Sequence, residues 1–517
     1  MNWGNILDQW ADRTPEKEAI IFQDTILTYK EMNERVNALS RELLNCGIGK
    51  GDRVALLSFN CHQFMEVFFA CGRLGAIFVP LNFRLVGREL QYQLNDSEPK
   101  ILFLGREFQS VIGQIRDQLH TISNYVVIDE KEDSFEAKSY EDMINSTNNT
   151  ALNFDYKVDF DDNFIIVYTS GTTGHPKGAL LSQKNVLFTS LNQIIDFQCT
   201  TRDVTLTMSP LFHVGGLFIL TLPMLHIGGS VVIMKAFDPV QALKLIEENR
   251  VSVVFGVPAM WGAILRAENI GITDVSSLRI TVSGGASQPL SVLKKIHDTF
   301  DVPLTEGYGL SEASSCSCLL RWEDVQSKAG SIGKPFVHNS MKVVTENGDE
   351  VMPGEVGEII QAGPTVMRGY FNNPQATGET IVNGWLYTGD LATVDEDGFI
   401  YIKDRKKDMI ISGGENIYPV EIEQVLYMHD KIAEAAVIGV PDDKWGESVL
   451  ATIVLYPGQE MTSEEVINYC KNNLASYKKP RMVEFVDVLP SNPSGKVLKT
   501  ELRKQYQLNS YTPPTTI

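Results

Sequence analysis

The stretch FIIVYTSGTTGHPKG, Phe164 to Gly178, decides the architecture. Its first five residues are apolar, β-branched or aromatic, as in a strand buried on both faces. A run of glycine, serine and threonine follows at once and ends in Lys177-Gly178. Open α/β sheets place ligands at loops leaving the carboxyl ends of such strands. Gly171, Gly174 and Gly178 would let backbone N–H groups approach an anion closely, because no Cβ stands in the way. Thr169, Ser170, Thr172 and Thr173 add hydroxyls, and Lys177 adds a cation. The string is not a GxxxxGK[ST] phosphate loop. No Lys-Ser or Lys-Thr follows the glycines and Pro176 precedes the lysine, so phosphoryl transfer to a hydroxyl is the weaker reading.

Outward from this stretch the same texture repeats. Val54 to Phe59, Ala76 to Val79, Ile101 to Leu104, Val231 to Met234, Val253 to Val257 and Arg279 to Val282 read as short buried strands between helical patterns. Such alternation implies crossover connections and largely parallel sheets. One helix is legible in detail. Thr28 and Glu31 have capping-box spacing, Met32, Val36, Leu39 and Leu43 form one face, and Gly47 stops it. Lys131 to Asp161 is polar and irregular and reads as a surface connection. After about Gly330, Met341 to Thr345, Glu358 to Gln361 and Phe399 to Ile402 read as antiparallel strands, with turns at Asn347-Gly348 and Asp397-Gly398. Beyond the charged run Lys403 to Asp408 lies a small α/β unit. Its expected helices are Val420 to Tyr427 and Glu464 to Asn473, its strands Ala435 to Val440 and Ala451 to Leu455.

Composition sets limits on partners. A chain of 517 residues is long enough for several domains, and 43% hydrophobic with 21% charged residues is a globular balance. The net charge of −20 argues against nucleic acid as a partner, since phosphate backbones are met by positive surfaces. The seven cysteines show neither a disulfide framework nor a metal spacing. The start, MNWGNILDQWADR, lacks the pattern of a signal peptide, and Val214 to Leu225 is too short to span a bilayer. A cytoplasmic protein is expected, with peripheral membrane contact left open.

The loop at Tyr168 resembles the signature of the adenylate-forming superfamily, which includes acyl-CoA synthetases, luciferases and the adenylation domains of peptide synthetases. Further strings fit in the same order: SGGA at Ser283, EGYGLSE at Glu306, YTGDL at Tyr387, DRKKDMIISGGENIYPVEIE at Asp404 and PSNPSGKVLKTEL at Pro490. The resemblance implies an α/β fold with a large N-terminal lobe over 1–404, made of two parallel-rich αβα subdomains and a β-rich one. A small mobile lid over 405–517 would turn about a hinge near Lys407. It implies ATP, Mg²⁺ and coenzyme A. A carboxylate attacks the α-phosphate of ATP, and the acyl-adenylate then passes its acyl group to the CoA thiol.

Carried over residue by residue, the resemblance assigns the nucleotide to Thr169, Ser170, Gly171, Thr172, Thr173, Gly174 and Lys177. Gly284, Gly285, Ala286, Glu306, Gly307, Tyr308 and Gly309 would border the adenine, and Ser311 would meet phosphate. Glu312 and Thr169 would hold the metal, Asp390 and Arg405 the ribose. Lys496 would be the adenylation lysine, and His213 in PLFHVGG would line the channel between the acyl and thiol sites. Gly413 and Gly414 would admit the pantetheine arm, with Trp445, Tyr477 and Lys479 meeting the rest of CoA.

The acyl pocket is expected from His213 to Leu225, Val257 to Leu265 and the loops at Gly284 and Tyr308. The stretch His213 to Leu225 contains no lysine or arginine, so a second carboxylate is disfavoured. Overall likeness points first to medium- or long-chain fatty acids, then to benzoate- or cinnamate-type acids. A ligase loading a carrier-protein thiol would share the adenylation strings, and a silent nucleotide-binding protein would be expected to have lost some of them. Relatives in the superfamily leave a homodimer open.

Overall fold

The computed structural model describes residues 2–130, 135–145, 157–169, 176–285, 290–302, 304–412, 415–442, 444–491 and 497–508. The strand read at Phe164 runs Asn163–Thr169 and lies inside an eight-stranded sheet. It is parallel to Ile77–Pro80, and Arg53–Leu57, Ile101–Leu104, Asn124–Val127 and Lys138–Ser139 continue the parallel order. On its other side Lys177–Ser182 and then Gly369–Tyr370 are antiparallel. The glycine-rich stretch therefore links two strands of a hairpin and does not open a helix. The described chain beyond it continues as the strand Lys177–Ser182, whereas a GxxxxGK[ST] loop leads into a helix.

A nine-stranded sheet forms the second half of the lobe. Its parallel centre runs Leu304–Leu310, Ile280–Gly284, Val253–Gly256, Val204–Thr207, Ser230–Ile233 and Glu18–Phe22. Between the sheets lies the helix His62–Leu74, buried along its whole length. Phe64 and Phe68 stack edge-on against Phe78, and Trp3 meets Phe68 and Phe69 in the same way. One apolar core thus takes residues from both sheets, including Val54, Ile165, Ile20 and Val253. The helix Tyr29–Asn45 begins at Thr28 with the capping box read from its spacing, and Gly47 follows its end at φ +75°.

Ser340–Val344, Gly357–Ala362, Trp385–Val394, Ile381–Val382 and Ile400–Arg405 make the antiparallel subdomain. The carboxy-terminal unit has its own five-stranded sheet, in which Ile432–Asp442 and Gly446–Leu455 form a long hairpin. Helices Pro419–Tyr427, Ser463–Asn473 and Lys499–Leu508 accompany it. Its apolar clusters, around Ile422, Val437 and Val466 and around Ile438 and Leu502, contain only residues from Ile410 onward. The clusters of the N-terminal lobe stop at Ile402. The α/β class, the two parallel-rich sheets and the smaller terminal domain match the expectation.

One expectation fails in part. Lys131 to Asp161 is not simply a surface connection, because Lys138–Ser139 adds an edge strand and Tyr140–Asn145 forms a helix. Tyr140, Met143 and Ile144 are buried, and the Tyr140 hydroxyl donates to the fully buried Glu66 at 2.7 Å. Glu66 also accepts from Arg35, at 2.9 Å, and lies 2.6 Å from His62 Nδ1. Burial opposes its charge, but His62 and Arg35 outweigh that and hold its carboxyl down at about 2. An ionised carboxylate so deep needs all of these partners, which is why a polar segment comes inside. The seven cysteines are free thiols. No described helix is long and apolar enough to cross a membrane.

Candidate active site

The strand Leu304–Leu310 and the short turn Ser311–Ala313 carry EGYGLSE, and described residues of four other strings, Ser283, Asp390, Arg405 and Thr169, lie around it. Ile280–Gly284 lies beside it in parallel register, with Ser283 opposite Glu306 and Gly284 opposite Gly307. The backbones are so close that a Cβ on Gly284 would stand 2.7 Å from Gly307 O. On the other side Ser315–Leu320 crowds Gly309, where a Cβ would fall 1.6 Å from Ser315 O. Two glycines assigned to the adenine are thus required first by backbone approach. Gly285 turns the chain away at φ +85°.

Tyr308 reaches into the antiparallel subdomain. Its hydroxyl donates to Asp390 Oδ2 at 2.6 Å, and Arg405 Nε meets Asp390 Oδ1 at 2.5 Å. Asp390 and Arg405 face each other across the strands Trp385–Val394 and Ile400–Arg405, so the sheet register makes the pair. Asp390 is buried, at 3% exposure. Burial and the neighbouring Asp390 charge push the Tyr308 phenol far above its ordinary range, so it remains a donor. Burial works against the Arg405 charge, and Asp390 with Tyr308 and Glu312 more than offsets it.

At the far end of the motif Glu312 Oε1 receives hydroxyls from two directions: Tyr370 at 2.9 Å and Thr169 at 3.4 Å. Its backbone is pinned by Met367 N–H to Glu312 O, 2.8 Å. Thr169 pairs with Lys177 across the hairpin, and Lys177 Nζ lies 5.1 Å from the centre of the Tyr370 ring. Ser170, Gly171, Thr172, Thr173 and Gly174 fall outside the described residues, as do Ala286, Gly413, Gly414 and Lys496. Gly178 is better explained by packing than by anion approach. It belongs to the ladder opposite Tyr168, where a Cβ would meet Ile166 Cγ2 at 2.6 Å, and its carbonyl accepts from Phe371 N–H.

His213 caps a short helical turn, and its Nδ1 accepts from Gly215 N–H at 3.2 Å. The neutral ring then carries its proton on Nε2. The Phe255 ring fits between Gly215 and Gly284, since a Cβ on either would stand 3.2 or 3.5 Å from it. This ring joins the His213 segment to the SGGA strand. Behind it the chain from Leu217 to Thr221 takes a π-helical turn. Every side chain from Leu217 to Leu225 is buried, and the cavity between Thr207, Leu220 and Phe255 measures about 10 Å³. That is roughly room for one water. The π-turn packs Leu217 and Leu220 into the core.

Arg405 ends the last strand of the lobe, and Lys407, at the expected pivot, is exposed. Asp404 bridges the junction: its Oδ1 accepts from Arg405 N–H at 2.7 Å and its Oδ2 from Val420 N–H at 3.0 Å. Burial raises its carboxyl to about 6, although Lys499 and those two N–H groups pull the other way. Arg503 pairs with Asp408 at 2.7 Å and Lys499 with Glu423 at 2.8 Å. Farther out, Lys444 and Arg481 lie 4.8 and 4.5 Å from the Trp445 ring centre. Tyr477 is 46% exposed, and Lys478 is 5.7 Å from its ring. Sequence reasoning missed Tyr370, Asp404 and Arg481. Only Arg481 carried a signal, as a cation shortly after Lys478-Lys479.

The AMP-binding enzyme family matches residues 7–371, and the AMP-binding enzyme C-terminal domain matches residues 421–496. Feruloyl-CoA synthase of an Amycolatopsis species is 38% identical over 496 residues, covering 96% of this chain and 97% of its own. Long-chain-fatty-acid–CoA ligase FadD13 of Mycobacterium tuberculosis is 36% identical over 510 residues and 98% of each chain. The crystal structure of the anthranilate CoA ligase AuaEII in complex with anthranoyl-AMP superimposes with a TM-score of 0.91 at 28% identity, over 98% of each chain. With both domains matched and these relatives covered end to end, the chain belongs to the AMP-binding enzyme family, as one of its acid–thiol ligases acting with coenzyme A.

Proposed function

We propose that this ligase activates a compact aromatic acid of the benzoate or cinnamate type. The observation that carries the reading is the Phe255 ring lodged between Gly215 and Gly284, beside a run from Leu217 to Leu225 whose side chains are all buried. An extended acyl chain gains roughly 0.8 kcal/mol per buried CH₂ and needs a deep channel to collect it. A ring needs a short apolar slot, and Phe255 between Gly215 and Gly284 supplies a flat wall for one. The names of feruloyl-CoA synthase and the anthranilate ligase agree with this choice. The fatty-acid reading stands second, on the likeness to FadD13.

The chemistry needs no catalytic base, because the substrate carboxylate is itself the nucleophile. One of its oxygens bonds to the α-phosphorus of ATP, the α–β bridge bond breaks and pyrophosphate leaves. The CoA sulfur then bonds to the acyl carbon, its proton is lost, and AMP departs with the former carboxylate oxygen. Asp390 and Arg405 would hold the ribose, two carboxylate oxygens suiting a vicinal diol. Glu312 and Thr169 present oxygen donors, which is what Mg²⁺ takes, with substrate phosphates completing its shell. The ion would neutralise phosphate charge. Lys177 and Lys496 would meet phosphate and carboxylate oxygens, and Ser311 phosphate. The unit after Arg405 would turn about Lys407 between the two steps, bringing Gly413, Gly414, Trp445, Tyr477 and Lys479 to CoA. Lys444 and Arg481 beside Trp445 support that surface as one for a phosphorylated nucleotide.

Pyrophosphate exchange and thioester formation across a panel of acids test the reading. Hydroxycinnamates and benzoates should exchange and yield CoA thioesters faster than octanoate or palmitate. Preference for the long chains would reverse the assignment, and exchange without thioester would point to a carrier-protein thiol.

A further inference from the structure

Tyr370 stands where two charged groups of the site would otherwise meet. It lies on the edge strand Gly369–Tyr370, paired to Lys177–Ser182 with Tyr370 opposite Ala179. Its backbone N–H donates to Thr377 Oγ1 at 2.8 Å, which fixes its place from the helix Pro374–Thr380. The face of its ring takes the Lys177 ammonium at 5.1 Å, a cation–π distance. Its hydroxyl takes Glu312 Oε1 at 2.9 Å. Among the described residues no ion pair joins Lys177 to Glu312, although both rest on this one side chain. A lysine and a glutamate this close to a common neighbour would gain from pairing directly. Such a pair would occupy the carboxylate that a cation needs and the ammonium that a phosphate needs. The phenol removes the incentive by giving each charge a partner that is not itself charged.

We infer that Tyr370 is a positioning residue: it holds Lys177 and Glu312 apart, ties down one carboxylate oxygen of Glu312, and leaves the other for the metal of the ATP complex. The inference rests on the assignment of Glu312 to the metal made above.

Calorimetric titration of ATP at a series of magnesium concentrations, without any acid, tests this on the full-length protein. Tyr370→Phe keeps the ring and loses the hydroxyl. It should raise the magnesium needed for half-maximal ATP binding about tenfold, the usual cost of losing a partner of a metal ligand. Affinity at saturating magnesium and thioester formation from preformed acyl-adenylate should stay as in the wild type. Tyr370→Leu loses the ring as well and should also weaken ATP at saturating magnesium, because Lys177 then pairs with Glu312. A wild-type magnesium dependence in Tyr370→Phe overturns the inference, and so does an equal loss of both half-reactions. Glu312→Gln separates the two claims. If it shifts the magnesium curve while Tyr370→Phe does not, only the positioning role falls; if neither shifts it, the metal assignment falls and takes the inference with it.

Discussion

Asp390 is a carboxylate that the fold can bury only because two neighbours come from different strands. Arg405 faces it across a sheet, while Tyr308 arrives from the adjoining subdomain. Tyr308→Phe leaves Asp390 Oδ2 short of a donor and should cost about 1–3 kcal/mol in a urea unfolding curve. The same variant should raise the KM for ATP more than it changes thioester formation from preformed acyl-adenylate. Gly309→Ala should destabilise by about 1–3 kcal/mol or more, because the added methyl meets backbone and not a movable side chain. The sequence announced Asp390, Arg405 and Gly309 by type and motif. It could not announce Tyr370, since an isolated tyrosine has no spacing to read, and its partners lie 193 and 58 positions away, at Lys177 and Glu312.

At the level of the element, the junction segment around Asp404 is the sensitive piece. Its carboxyl is raised to about 6 in the folded chain, against about 3.9 unfolded. The folded state therefore binds the extra proton between those values. Its contribution to stability is fully present below about pH 3.9 and is lost as the pH rises through about 6. The loss is on the order of 3 kcal/mol, with Lys499 and Glu423 facing the same group. Unfolding free energies from pH 4 to 7 should show this slope in the wild type and not in Asp404→Asn. Elements with a strong period were legible: the capped helix Tyr29–Asn45 and the strand Asn163–Thr169 lie where their patterns put them. The helix Tyr140–Asn145 was not, because only three of its residues are apolar or aromatic and its burial is dictated by Glu66 from another helix.

For the whole molecule, the proposed division after Arg405 would set what can move. Lys407→Pro should leave acyl-adenylate formation nearly intact and impair thioester formation, measured as separate half-reactions, because proline fixes φ at the pivot. Equal loss of both would count against a pivot there. The two-part architecture was readable from the change in texture along the chain. The π-turn was not, since an apolar string such as HVGGLFILTLPML fits a regular helix or a π-turn equally well. The carboxy-terminal unit keeps its apolar clusters to itself. A chain assembled in this way is insured only in part against its own errors. Damage to Ile422 or Val466 should cost the unit its own packing, and with it both the Lys496 contact of the first half-reaction and the CoA surface of the second, while ATP still binds at Asp390 and Glu312.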